Sequence, residues 1–344
     1  MTQPRVSVLM PVHNGQSLLK DCLASIQAQQ FTDFEAVVVD DGSTDETWAQ
    51  LCHAAELDAR IHPIHSAHGG IVNALNLGLA ACQGEFIARM DVDDRMHPKR
   101  LAAQWNFMQA NPDCGLCGCW VEPFGIDKSL TTGGRGYHNW LNTLTTNEDI
   151  KAEIFVDSPI AHSTFFVRRH VFNALGGYHD PPWAEDYDFL HRANLAGIFF
   201  GNIPEKLLRR GDRLNRLTRT DGRYRRKAMF KAKAHYFAQG DWLQEKRGVL
   251  IAGTGPSGRI LADCFRAENI PVVGFVDNHA GPPDRTVKNI VAYGFDGPPP
   301  VEFIKDFRDT FIALCIGEPV GRFTMGNILS EASLSPGYDY MRFI

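Results

Sequence analysis

Three groups of carboxylates stand at spacings that suit chemistry. Asp91 and Asp93 flank one residue in ARMDVDD. If that segment is extended, alternation turns both side chains to the same side. Two converging carboxylates form a hard-oxygen site for Mg2+ or Mn2+, usually shared with substrate phosphates. Asp40-Asp41 close the apolar run Glu35–Val39, and Glu185-Asp186 open a helical stretch in PPWAEDYDFLHR. Each group also has a plainer reading. Acidic loops solvate themselves, and Asp94 suits the capping of a helix expected over Lys99–Met108. An acidic pair at a helix start is favoured by the macrodipole.

The elements that must position these groups follow an alternating pattern. Val6–Met10, Glu35–Val39, Ile61–His65 and Phe86–Met90 are short buried strand runs. Between them, Ser17–Gln29, Asp45–His53 and Ile71–Ala81 carry apolar residues at helical spacing, with Ser43 or Thr44 as the cap of the second. Strands alternating with helices predict an α/β domain with a largely parallel sheet. In such sheets ligands bind beyond the carboxyl ends of the strands, where Asp40-Asp41 and Asp91–Asp94 lie. Residues 121–150, rich in Gly, Thr and Asn, read as a long connection. Ile160–Arg168 is strand-like, and Tyr187–Gly197 reads as a helix.

Composition narrows the class. The 344 residues suggest two domains at the usual ~100–200 residues each. A hydrophobic content of 44% and a charged content of 22% exclude a disordered chain. The net charge of −5 excludes a nucleic-acid coat. That average hides a block. Residues 206–233 hold twelve Lys and Arg against Asp212 and Asp221, so the block carries +10 and the remainder −15. It reads either as a solvated helix face or as a surface for a diphosphate or anionic headgroups. No apolar run approaches the ~18–20 residues of a membrane span, and the N-terminus lacks a signal h-region, so a cytoplasmic protein is expected. Cys114, Cys117 and Cys119 have no second ligand pair at zinc-finger distance and read as small buried strand residues.

Taken together, PVHNG at 11–15, VVVDDGSTDET at 37–47, the helix Gly69–Gly78, ARMDVDD at 88–94 and AEDYD at 184–188 resemble family 2 glycosyltransferases. The resemblance covers about residues 4–220. It implies a GT-A fold and an inverting, metal-dependent transfer of sugar from a nucleoside-diphosphate sugar to a hydroxyl of a glycan or lipid-linked acceptor. Asp41 would then accept a hydrogen bond from the nucleobase, with Asp40 shaping the site and Pro11, His13 and Asn14 forming the loop beneath the base. The family often has Tyr or Phe at the position of His13. Asp91 and Asp93 would hold Mn2+ or Mg2+ against the diphosphate, and Asp186 would be the general base. Glu185 would orient it or contact the acceptor. His162, in SPIAHSTFFVRR, would line the acceptor pocket or serve as a structural hydrogen-bonder. Relatives often carry a His after the ED motif. LLRRGDRLNRLTRTDGRY has none, which favours Arg contacts to phosphate there.

A second α/β unit starts at Gly248. Gly253, Gly255 and Gly258 form GxGxxG between a strand and a helix, and Asp277 ends the next strand. That context suits a dinucleotide phosphate and a ribose. The expected organisation is a glycosyltransferase domain over 1–243 and a small Rossmann-like domain over 247–344, binding NAD or another nucleotide or only docking. Two other functions use this unit: an NAD(P)-dependent oxidoreductase, which leaves the acidic motifs unexplained, and a non-catalytic nucleotide-sugar sensor.

Overall fold

A computed structural model of the chain describes residues 3–127, 132–214, 216–278 and 285–344. The chain groups into two compact units. The first holds Met1–Ile150, Pro159–Pro181 and Asp188–Thr220; the second holds Lys151–Ser158, Pro182–Tyr187 and Asp221–Ile344. This grouping and the sequence division at 243/247 differ over 151–158, 182–187 and 221–243.

The first unit is built on an eight-stranded sheet: β1 (Val6–Val12), β2 (Phe34–Asp41), β3 (Ile61–Ser66), β4 (Phe86–Arg89), β5 (Arg95–Met96), β6 (Cys114–Gly125), β7 (Phe166–Arg168) and β8 (Phe199–Asp212). The strand order is β3-β2-β1-β4-β7-β6-β8-β5. β3, β2, β1 and β4 run parallel. β7 is antiparallel to both β4 and β6, and β8 is parallel to β6. β1 and β2 are almost continuously apolar and buried, as expected where helices cover both faces. The helix Gln16–Gln27 buries Leu19, Cys22, Leu23 and Ile26, a 3.6-residue stripe. Register fixes the site: Val12 pairs with Asp40, and Leu9 with Arg89. The segments after β1, β2 and β4 therefore emerge side by side.

Three local expectations change. The helix after β2 spans Thr47–Leu57, and Asp45 Oδ1, not Ser43 or Thr44, accepts from the Thr47 N–H at 3.0 Å. Residues 121–150 are not a connection. β6 continues to Gly125, and helices run over Thr132–Leu141 and Asn147–Glu153, with 128–131 outside the described residues. The first helix forms despite its glycines because Tyr137 and Trp140 pack on the core beside the buried Leu141. The second is capped reciprocally: Thr146 Oγ1 accepts from the Asp149 N–H and Asp149 Oδ2 from the Thr146 N–H, at 3.1 and 3.0 Å. The stretch 160–168 is only partly strand, because a short turn over His162–Thr164 precedes β7.

Cys114, Cys117 and Cys119 lie buried on β6 with free thiols. Burial pushes the Cys114 and Cys119 thiols up to about 11 and Cys117 well above its usual value. Only Cys52 of the eight cysteines is not buried. A thiol reagent should therefore modify one cysteine rapidly in the native protein and all eight after denaturation. Rapid modification of three or more native thiols would contradict this packing.

The second unit has β9 (Val249–Ala252), β10 (Val272–Asp277), β11 (Thr286–Val287), β12 (Ile290–Gly294), β13 (Phe311–Leu314) and β14 (Tyr340–Arg342). The order is β11-β12-β10-β9-β13-β14, parallel except for β11 against β12. Leu250, Ala252, Ile312, Leu314 and Leu329 centre its core. The helix Pro256–Ala267 starts from the glycine turn after β9, with Pro256 in its first turn, where a missing N–H costs nothing. Among the described residues, no helix is long and apolar enough to cross a membrane.

Candidate active site

Asp40 and Asp41 end β2 fully inside the first unit. Asp40 Oδ2 meets His65 Nδ1 at 2.9 Å, and Oδ1 accepts from the Ser43 N–H at 3.3 Å. It shapes the turn. Asp41 Oδ1 and Oδ2 accept from the Gly69 and Gly70 N–H groups at 2.8 and 2.9 Å, next to the start of the helix Ile71–Ala81. Its carboxylate is thus preorganised, and Oδ1 can take a second donor beside the Gly69 N–H. His68 Nδ1 also meets Asp41 Oδ2 at 2.9 Å. This partner was not singled out from the sequence, because it lies 27 residues away and no local spacing reports it.

The loop after β1 closes on the same place. His13 Nδ1 donates to the Asp41 carbonyl at 2.8 Å, and the His13 and His68 rings stack at 4.3 Å. His13, Asp41 and His68 together bring three ligand-type atoms within 4.8 Å. Asn14 adopts φ 51°, which leaves its N–H on Ser43 Oγ and its Oδ1 on the Thr44 N–H, both at 2.8 Å. Pro11 stays on β1, paired with Val39. The 11–14 loop and the 40–44 loop are therefore knitted into one surface.

The acidic loop after β4 is not extended. The Asp94 N–H donates to the Asp91 carbonyl at 3.1 Å, closing a turn over Asp91–Asp94. The turn brings carboxylate oxygens of Asp91, Asp93 and Asp94 within 4.8 Å of one another. Asp94 thus joins the pair, and it caps no helix: Lys99, at the start of Arg100–Ala110, lacks a side-chain cap. Instead Asp94 Oδ1 accepts from the Gly211 N–H of β8 at 2.8 Å. Its buried Oδ2 has no hydrogen-bond partner among the described residues. An orphaned carboxylate oxygen beside two more carboxylates fits a hard divalent cation. The third acid of DVDD was the signal for this, read from sequence as a cap.

Arginines balance the cluster. Arg89, 2% exposed, pairs with Asp91. Burial favours the neutral form of Asp91, but the Arg89 guanidinium outweighs it and holds the carboxyl below its usual range. Burial, reinforced by Asp93 and Asp91, pushes Asp94 up to about 7. Asp93 Oδ2 meets Arg213 Nε at 3.3 Å and Arg216 Nε at 3.8 Å. Part of the basic block is therefore turned onto the acidic loop. Arg219 pairs with Asp212, while Arg225, Arg226, Lys227 and Lys231 are exposed. His162 is buried, with Nε2 on the Tyr178 hydroxyl at 2.9 Å, and burial holds its imidazole well below its usual pKa.

Gly211 lets β8 approach this loop. A Cβ there would lie 2.1 Å from the Asp93 carbonyl oxygen, backbone against backbone. Gly211→Ala should shift the turn, costing about 1–3 kcal/mol as an overpacking change. Weaker Mn2+ binding together with a lower melting temperature is the expected result. Unchanged Mn2+ affinity would show that the turn tolerates the displacement.

Glu185 and Asp186 begin the helix Glu185–Leu195, and both group with the second unit. Glu185 is buried and its Oε2 accepts from the Tyr224 hydroxyl at 2.6 Å. Asp186 is half-buried, and its Oδ1 accepts from the Tyr187 N–H at 2.8 Å. A half-buried carboxylate can take a proton from a hydroxyl brought within hydrogen-bond reach.

In the second unit, Gly253 takes φ 114°, and a Cβ on Gly258 would lie 2.0 Å from the Gly253 carbonyl oxygen. Gly255 faces open space. Asp277 Oδ2 accepts from the Thr254 N–H at 2.7 Å and from its hydroxyl. The carboxylate suited to a ribose is here bound to the glycine loop itself.

Residues 7–176 match the family model described as glycosyl transferase family 2. A glycosyltransferase of Haemophilus influenzae is 31% identical over 212 residues, covering 60% of this chain and 65% of that protein. The amylovoran biosynthesis glycosyltransferase AmsE of Erwinia amylovora is 28% identical, covering 59% of this chain and 74% of AmsE. The chain spans only 16% of the O-antigen biosynthesis protein RfbC of Myxococcus xanthus, at 29% identity. Among solved structures, Staphylococcus aureus TarS 1–349 superposes with a TM-score of 0.54 at 19% identity, over 77% of this chain and 71% of TarS. The mannosyltransferase PcManGT of Pyrobaculum calidifontis, solved with GDP-Man and Mn2+, gives 0.50 at 21% identity, over 70% and 63%.

Proposed function

We propose, given that the chain belongs through residues 7–176 to glycosyl transferase family 2, that it moves a sugar from a nucleoside-diphosphate sugar to an acceptor hydroxyl with inversion. The observation that carries this is the acidic turn Asp91–Asp94, with its three converging carboxylates, at the same sheet edge as Asp41 and the 11–14 loop. TarS has been solved with UDP-GlcNAc and PcManGT with GDP-Man, which supports a nucleotide-sugar donor. AmsE and RfbC are named for amylovoran and O-antigen biosynthesis, which supports a glycan or lipid-linked acceptor.

In this reading Asp41 accepts from the nucleobase on Oδ1, beside its Gly69 contact. Asp91, Asp93 and Asp94 hold Mn2+ or Mg2+, which when bound offsets charge on the diphosphate. Arg213 and Arg216, already on Asp93, add positive charge for the departing nucleoside diphosphate. Asp186 takes the acceptor proton, Glu185 orients it, and His162 supports the loop beside Asp91. The exposed Arg225, Arg226, Lys227 and Lys231 offer anionic headgroups a contact at the membrane's cytoplasmic face.

Screening nucleotide sugars for thermal stabilisation with Mn2+ present tests the donor class. One of them should raise the melting temperature, because a ligand of the native state stabilises it. A complete absence of stabilisation by every nucleoside-diphosphate sugar, with stabilisation by NAD instead, would overturn the reading.

A further inference from the structure

The turn that carries Asp186 is tied to the C-terminal half of the chain by two separate arms. In the first, the Tyr187 hydroxyl donates to the Ile154 carbonyl at 2.6 Å, fastening the helix start to segment 151–158. That segment is held in turn. Lys233 Nζ donates to the Val156 carbonyl at 2.9 Å and to the Phe343 carbonyl at 2.8 Å. Arg342 Nη1 meets both oxygens of Glu153, at 2.8 and 2.9 Å. Phe155 packs against Phe237, Trp242 and Phe343 with ring centroids 5.9, 5.1 and 5.1 Å away. In the second arm, the Tyr224 hydroxyl reaches Glu185 directly.

These contacts are costly to keep for packing alone. Lys233 is 4% exposed, and burial pulls its ammonium down to about 8. Burying a charge is tolerated when hydrogen bonds compensate it. Here the two acceptors come from chain positions 156 and 343, so the ammonium joins distant segments at one point. Glu185, 1% exposed, likewise accepts a hydrogen bond from the Tyr224 hydroxyl at a buried position.

We propose that Tyr224, Lys233 and Arg342, in residues 221–344, act as positioning residues for Asp186. The C-terminal unit then serves the transfer by setting the base, whatever else it binds. This rests on the assignment of Asp186 as the base.

The test uses the full chain. Tyr224→Phe removes one hydroxyl and keeps the ring. The expected result is at least a tenfold fall in kcat, with the donor KM and the donor-induced thermal shift unchanged. Arg342→Ala should lower kcat in the same way, and Arg342→Lys should recover most of it, because an ammonium still reaches Glu153. Parent-level kcat in both Tyr224→Phe and Arg342→Ala, with Asp186→Asn inactive, would overturn the positioning role. An equal loss of donor binding and turnover would also overturn it, since that pattern marks general unfolding. If Asp186→Asn itself stays active, the base assignment fails instead, and the two failures are told apart.

Discussion

Asp186→Asn should bind donor as the parent does and transfer sugar about 10²–10⁴-fold more slowly, the usual worth of a general base. The substitution keeps the side chain's size and its carbonyl oxygen, which can still accept from the Tyr187 N–H. What disappears is the ability to take a proton. Donor recognition is assigned to residues 11–14, 40–41 and 91–94, all in the first unit, whereas Asp186 groups with the second. The measurement is therefore a pair: thermal stabilisation by donor with Mn2+, and single-turnover transfer. Retained stabilisation with lost transfer is the expected pattern. Full transfer would remove Asp186 from the mechanism.

Asp91→Asn should fail twice. Arg89 is buried, and the substitution removes the Asp91 carboxylate that pairs with its guanidinium. Breaking a buried ion pair costs about 3–5 kcal/mol. Asp91 is 26% exposed, so the lower end, about 3 kcal/mol, is expected. At ~2–4 °C per kcal/mol for a domain of this size, the melting temperature should fall by roughly 6–12 °C. Independently, the cation site loses one of three carboxylates. A metal supplies several kcal/mol of charge stabilisation. At about 1.4 kcal/mol per tenfold, turnover should fall by ~10²–10³-fold. Asp93→Asn separates the two effects. Asp93 is paired with the half-buried Arg213 and with Arg216, so its loss should cost metal-dependent turnover with less stability. Parent-level Mn2+ response in both variants would reject the acidic turn as the metal site.

Much of the fold was legible because it is local. Alternating apolar runs and helical stripes report strand and helix directly, and the α/β class follows from their order, while the GT-A fold comes from the resemblance of the motifs to family 2 glycosyltransferases. The family motifs lie in the loops those elements present. The misreadings share a cause. Asp94 reads as a cap because capping is a local pattern, whereas its actual partner, the Gly211 N–H, lies 117 residues away. The pair Asp91/Asp93 reads as extended because DxD says nothing of a turn closed by a backbone hydrogen bond. The stretch 121–150 reads as connection because glycine and threonine lower helix propensity, and only packing of Tyr137 and Trp140 on the core offsets that.

The sequence by itself determined that Asp40, Asp41 and the Asp91–Asp94 acids stand at or just beyond the ends of parallel strands. Residue type and local periodicity are properties of the chain before it folds. Only the tertiary structure decided which charges meet. It turned Arg213 and Arg216 of the basic block onto Asp93, gave Asp41 its Gly69 and Gly70 donors, and grouped Asp186 with residues 221–344. Ion pairs and hydrogen bonds act over a few ångströms, and that proximity is set by long-range packing, which no local spacing encodes.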